Sequence, residues 1–121
     1  MKQPINLNLR TMHFPAMAIA SILHRLSGLI LFLLLPCMLY AIELSLYNQE
    51  SFAHLYLRFK EPGAKLLILV GVVALTYHSL AGIRHILLDL GIGEGLKTAR
   101  ISAIFIMLFT AIIMVLFGLW I

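Results

Sequence analysis

Residues 26–42, 66–83 and 101–121 contain no Asp, Glu, Lys or Arg. A helix needs about 20 predominantly apolar residues to cross the hydrocarbon core of a bilayer. Inside that core every backbone N–H and C=O must find a partner within the protein, and a helix supplies all of them locally. The expected fold is therefore an all-α integral membrane protein, a bundle of three transmembrane helices over residues 21–47, 64–90 and 100–121. One domain, residues 1–121, accommodates them. Only 12% of the residues are charged and 62% are hydrophobic, whereas soluble domains carry roughly 25% charged residues. The net charge of +4 comes from lysines and arginines scattered near the ends of the runs. That placement fits membrane-flanking charge and excludes a nucleic-acid surface, which needs a basic patch or stripe.

Between the runs, residues 48–65 read as a polar loop and residues 89–100 as a short link with Gly91, Gly93 and Gly95. Pro36 is expected to kink the first helix, because its ring removes a donor and clashes with the preceding turn. Cys37 is the only cysteine. It forms no intrachain disulfide and reads as a small buried hydrophobe. Residues 1–15 are polar and carry Pro4 and Pro15, and His24-Arg25 breaks the apolar stretch after Pro15, which does not fit a cleavable signal peptide. Lys2, Arg10, Arg25, Arg84, Lys97 and Arg100 fall on one side of the bundle, and Arg58, Lys60 and Lys65 on the other. Positive charge favours the cytoplasmic face, so a cytoplasmic N-terminus is expected.

Against this background the histidines and arginines stand out. An ionisable residue inside a span is costly and marks a functional site by default. The first two spans run antiparallel, so the start of one and the end of the other share a depth. Ser21, His24 and Arg25 thereby approach His78, Arg84, His85 and Asp89. On the second span, His78, Gly82, His85 and Asp89 are spaced by four, three and four, which makes one helical stripe. His78 lies roughly 16 Å deeper than Asp89 at about 1.5 Å per residue. Gly82 lets a flat ligand or another helix approach closely.

Two readings of His78 stay open on spacing alone. A neutral imidazole in a dry pocket suits haem iron. It equally suits a hydrogen bond to a neighbouring helix. His24 and His85 lie nearer the interface, where solvent or phosphate contact serves a histidine. His78 and His85 are about 10 Å apart along one helix, too far to bracket one iron. His24 is expected to be too shallow to be the second ligand, which makes a partner subunit the simpler source. Ser21 and Arg25, one turn apart, can hold a quinone carbonyl or a haem propionate. They equally suit a helix-capping serine and an arginine snorkelling to lipid phosphate.

Ser21-Ile22-Leu23-His24-Arg25-Leu26-Ser27-Gly28 resembles the S-x-x-H-R-x-S-G motif of the cytochrome b subunits of succinate dehydrogenase, respiratory complex II. His78-Ser79-Leu80-Ala81-Gly82-Ile83-Arg84-His85-Ile86-Leu87-Leu88-Asp89 resembles the second motif of that family, H-x-x-x-G-I-R-H-x-x-x-D. The segment from Arg10 to Pro15 fits as well. The resemblance implies that His78 is an axial ligand of haem b and that Ser21 and Arg25 line a ubiquinone site. It places His24, Arg25, Gly82 and His85 around the haem and its propionates. Asp89 would lie near the quinone site and the iron–sulfur subunit. The implied partners are a second small membrane-anchor subunit that supplies the other haem ligand, an iron–sulfur subunit, a flavoprotein that oxidises succinate, and lipid. The implied location is a bacterial inner membrane. The chain itself has no flavin or cluster motif. Two other classes are a haem-free structural anchor and a small transporter with a His/Arg relay. The second expects paired acidic residues in the spans, where only Glu43 comes close.

Overall fold

A computed structural model describes residues 15–121 of the chain. Lys2, Arg10 and the rest of the segment before Pro15 lie outside the described residues. The described residues form four helices: α1 (Pro15–Tyr47), α2 (Gln49–Arg58), α3 (Pro62–Asp89) and α4 (Leu96–Trp120). Three of them, α1, α3 and α4, are long and apolar enough to cross a membrane. The all-helical, three-span architecture expected from the sequence is the one found.

The ends of the helices follow local chemistry. Among the described residues α1 already covers the six positions before the expected Ser21. The alanines at positions 16, 18 and 20 are strong helix formers. α1 runs without interruption through Pro36. Gly91 and Gly93 take positive φ values of 77° and 71°, a backbone region that side-chain-bearing residues rarely adopt. Together they turn the chain tightly enough for α4 to begin at Leu96, four residues earlier than expected.

The polar loop expected over residues 48–65 contains α2. The Asn48 side chain caps it, accepting a hydrogen bond from the Ser51 N–H at 2.7 Å. Glu50 in its first turn and Arg58 in its last complement the helix dipole. A strong N-cap with an acid two residues later is the signal in the sequence.

The bundle is held by small residues. Ala20, Ala74, Ala81, Ala99 and Ala103 are buried, together with Tyr77 and Ile106. Lipid tails are as apolar as leucine, so helices in a membrane associate through close packing and hydrogen bonds rather than apolar burial. Alanine lets the backbones come near one another. Leu23, Leu80 and Met107 close around the Tyr77–Ala81–Ile106 centre. No residue of the most apolar stretch of α1 is buried, and Cys37 on that helix is exposed. The expectation of a buried cysteine is thus corrected. In a span, an apolar neighbourhood in sequence does not mean an interior position, because the outer surface is apolar too.

An apolar cleft of about 500 Å³ runs between α1, α3 and α4, lined among others by Leu23, Ile30, Val70, Met107 and Thr110. Thr110 is buried, and its hydroxyl has no hydrogen-bond partner among the described residues. A buried unsatisfied hydroxyl costs about 1–3 kcal/mol. Thr110→Val keeps the shape and removes the hydroxyl. It is expected to raise the thermal midpoint of the detergent-solubilised protein. A lower midpoint would show that the hydroxyl is bonded in the assembled protein.

Candidate functional site

α3 carries two different faces. At about 100° per residue, His78, Gly82, His85 and Asp89 share one arc, and Ala74, Tyr77, Ala81 and Arg84 lie beside it. The second set meets the neighbouring helices. Tyr77 donates its hydroxyl hydrogen to the Ala20 carbonyl at 2.7 Å, tying α3 to the beginning of α1. Arg84 donates from Nε to Ser102 Oγ at 3.0 Å and from Nη2 to the Ala99 carbonyl at 3.1 Å. Ser102 Oγ donates to the same carbonyl at 3.0 Å. Arg84 therefore clamps α3 to the first turns of α4, a role that its place at the end of a span does not reveal.

The register between α1 and α3 is set by close approaches. A Cβ added at Gly28 would lie 3.0 Å from His78 Cε1, and one at Gly71 would lie 3.4 Å from Leu34 Cδ1. His78 is thus seated against the α1 backbone at Gly28. Gly82, by contrast, faces His24 Nε2 at an ordinary 3.8 Å from a built Cβ. The tight glycine is Gly28, which belongs to the first motif but carried no expected role.

That seating decides the chemistry of the imidazole. The Ser27 hydroxyl donates its one hydrogen to the His24 carbonyl at 2.8 Å. Toward His78 Nδ1, 3.2 Å away, Ser27 Oγ then acts as acceptor. The His24 carbonyl lies 3.3 Å from the same nitrogen and also accepts. Two acceptors at Nδ1 call for an N–H there. In a neutral ring the lone pair is then on Nε2. Holding one ring nitrogen as a donor so that the other is free to coordinate is the arrangement found around metal-ligating histidines.

His24 and His85 join His78 in a column. The His24 ring stacks on His78 with centroids 4.5 Å apart and planes at 19°. His85 tilts against His24 at 5.0 Å between centroids. His24 thus lies between His78 and His85 and opposite Gly82, one ring spacing along the column from His78. Stacked face to face, however, the two rings cannot point their nitrogens at one iron from opposite sides. Ser21 is half-buried, and Arg25 and Asp89 are exposed at the same end of the bundle. Among the described residues no three His, Cys, Asp or Glu side chains converge as a metal-binding set. An iron held in a porphyrin requires only one axial side chain from this chain. The half-buried His78, with Nδ1 engaged and Nε2 bearing the lone pair, fits that role.

Residues 1–117 match the family model described as succinate dehydrogenase/fumarate reductase transmembrane subunit. A relative from Coxiella burnetii, described as a succinate dehydrogenase cytochrome b556 subunit, is 43% identical over 121 residues. The match covers 99% of this chain and 97% of that protein.

Proposed function

The chain belongs to the succinate dehydrogenase/fumarate reductase transmembrane subunit family, and from that premise we propose that it anchors a succinate:ubiquinone oxidoreductase, ligates a haem b through His78 and lines the quinone site with Ser21 and Arg25. The observation that carries the haem assignment is the pair of acceptors, Ser27 Oγ and the His24 carbonyl, at His78 Nδ1. They orient the ring and leave Nε2 for the iron. When bound, the haem supplies one-electron redox chemistry beside the quinone.

The residues of this chain then divide the work. Ser27 and the His24 backbone hold the ligand tautomer, and Gly28 gives the ring its place. Arg25, exposed one turn from Ser21, offers charge to a haem propionate or to negative charge building on the quinone ring. Ser21 donates a hydrogen bond to a quinone carbonyl. His24, Gly82 and His85 form the wall of the haem pocket. Asp89, at the end of α3, faces the iron–sulfur subunit. Any second ligand would come from a companion membrane subunit, since His24 is stacked on His78 rather than opposed to it. Succinate oxidation belongs to the flavoprotein. The proposed setting is the inner membrane of a bacterium with a cytoplasmic N-terminus.

Ser21→Ala tests the quinone half of this reading. Removing one preorganised donor is expected to slow quinone reduction about 10²–10³-fold, with haem content unchanged. Wild-type quinone reductase activity in that variant would remove Ser21 from the site.

A second reading, a haem-free anchor, draws on the His24–His78 stack. That contact gives the imidazole a protein partner on its face without any metal. A reduced-minus-oxidised absorbance spectrum separates the two readings.

A further inference from the structure

We infer that α2 is an interfacial helix, lying in the headgroup region of the bilayer on the face opposite the candidate site, with its aromatic side in lipid. Its place in the chain limits where it can be. One residue, Asn48, separates it from the end of α1, and Phe59-Lys60-Glu61 separate it from Pro62 at the start of α3. It therefore sits where two spans leave and enter the membrane. Ser21, Arg25 and Asp89 mark the other end of the bundle.

Its side chains are sorted by face. At about 100° per residue, Phe52, Leu55, Tyr56 and the capping Phe59 share one arc, and Glu50, His54 and Arg58 the opposite one. Leu57 is the one large apolar residue outside the apolar arc. No residue of α2 is buried, and Phe52, Tyr56 and Phe59 are 54%, 55% and 42% exposed. Three aromatic rings on one side of a short helix need an apolar cover, and nothing among the described residues supplies it.

Charge placement selects lipid as that cover. On the polar arc the charges answer one another: Glu50 lies 3.8 Å from His54, and Arg58 lies 3.5 Å from Glu61. That face suits water. Lys60 instead lays its ammonium 4.4 Å from the centroid of the Tyr56 ring, on the aromatic side. Lys65 follows on the first turn of α3 and is half-buried. Neither lysine is in an ion pair among the described residues. Lysines flanking an aromatic surface at the end of a span are placed to reach lipid phosphates while their stems stay in apolar surroundings. Aromatic residues concentrate at the same level because their rings suit the interface.

The test uses the assembled complex, reconstituted in vesicles of phosphatidylcholine and phosphatidylglycerol. In a Cys37→Ser background, single cysteines at Phe52, Tyr56, Glu50 and His54 receive a nitroxide label. Collision rates are read with oxygen, which concentrates in lipid, and with a water-soluble nickel chelate. All four positions are exposed, so the bundle is not disturbed. The expected result is a several-fold higher oxygen-to-nickel ratio at Phe52 and Tyr56 than at Glu50 and His54. Equal ratios at all four positions would overturn the inference by placing α2 in water. Labels at Phe52 and Tyr56 shielded from both reagents would also overturn it, by placing a protein partner on the aromatic arc.

Discussion

His78→Ala is expected to abolish the b-type absorbance of the assembled, detergent-solubilised complex. The proposed axial bond depends on one nitrogen, Nε2, and alanine offers no substitute. His24 cannot take over, because it approaches His78 face to face with centroids 4.5 Å apart. His85 is displaced further along the column, against His24 at 5.0 Å. The measurement is a reduced-minus-oxidised spectrum of wild type against variant. A band that survives moves the ligand to His24 or His85. No band in either protein makes the chain a haem-free anchor. Ser27→Ala gives the graded counterpart. Removing the hydrogen-bond partner of a metal-ligating histidine typically costs about 10–100-fold in metal affinity. Here the His24 carbonyl, 3.3 Å from Nδ1, still accepts. The Ser27→Ala band is therefore expected to persist, with a shifted midpoint potential.

Gly28→Leu is expected to prevent haem incorporation with His78 itself intact. A Cβ at position 28 would already lie 3.0 Å from His78 Cε1 and 3.4 Å from Nδ1. Alanine makes the ring retreat by a few tenths of an ångström. The bonds from Nδ1 to Ser27 Oγ and to the His24 carbonyl start at 3.2 and 3.3 Å. A retreat of that size brings them to the limit of a hydrogen bond. Gly28→Ala should therefore retain haem in reduced amount and with an altered potential. Leucine adds a bulk that the contact cannot absorb. Overpacking a tight interior typically costs about 1–3 kcal/mol, here concentrated on the α1–α3 contact. Haem content per complex, with midpoint potential, checks both variants. Gly63→Ala is the control, since a Cβ there would meet nothing within 4 Å. Full haem content in Gly28→Leu would show that the α1–α3 distance does not govern the pocket.

Much of the architecture is legible in residue order. Three uncharged runs determine three spans, because lipid admits few other ways to satisfy a backbone. The four-three-four spacing puts His78, Gly82, His85 and Asp89 on one arc, because a helix repeats every 3.6 residues. The helix between the first two spans is written there too, in Asn48 with Glu50 and in the spacing of Phe52, Tyr56 and Phe59. The polar average of that segment hides it behind the appearance of a loop.

The remainder is settled between helices. Periodicity says which residues share a face of one helix. It says nothing about how far one helix slides along another. In lipid that offset is not set by hiding apolar surface, since lipid solvates apolar surface on every side. It is set by where small residues allow backbones to meet and where a few hydrogen bonds can close. For this reason Cys37 is exposed, Arg84 reaches Ser102 and Ala99, and His24 stacks between His78 and His85. The residue types at the site, and the arcs they occupy, were determined by the sequence alone. The donor tautomer of His78 was decided by tertiary structure, because Gly28, Ser27 and the His24 carbonyl meet the ring only when α1 and α3 are packed in this register.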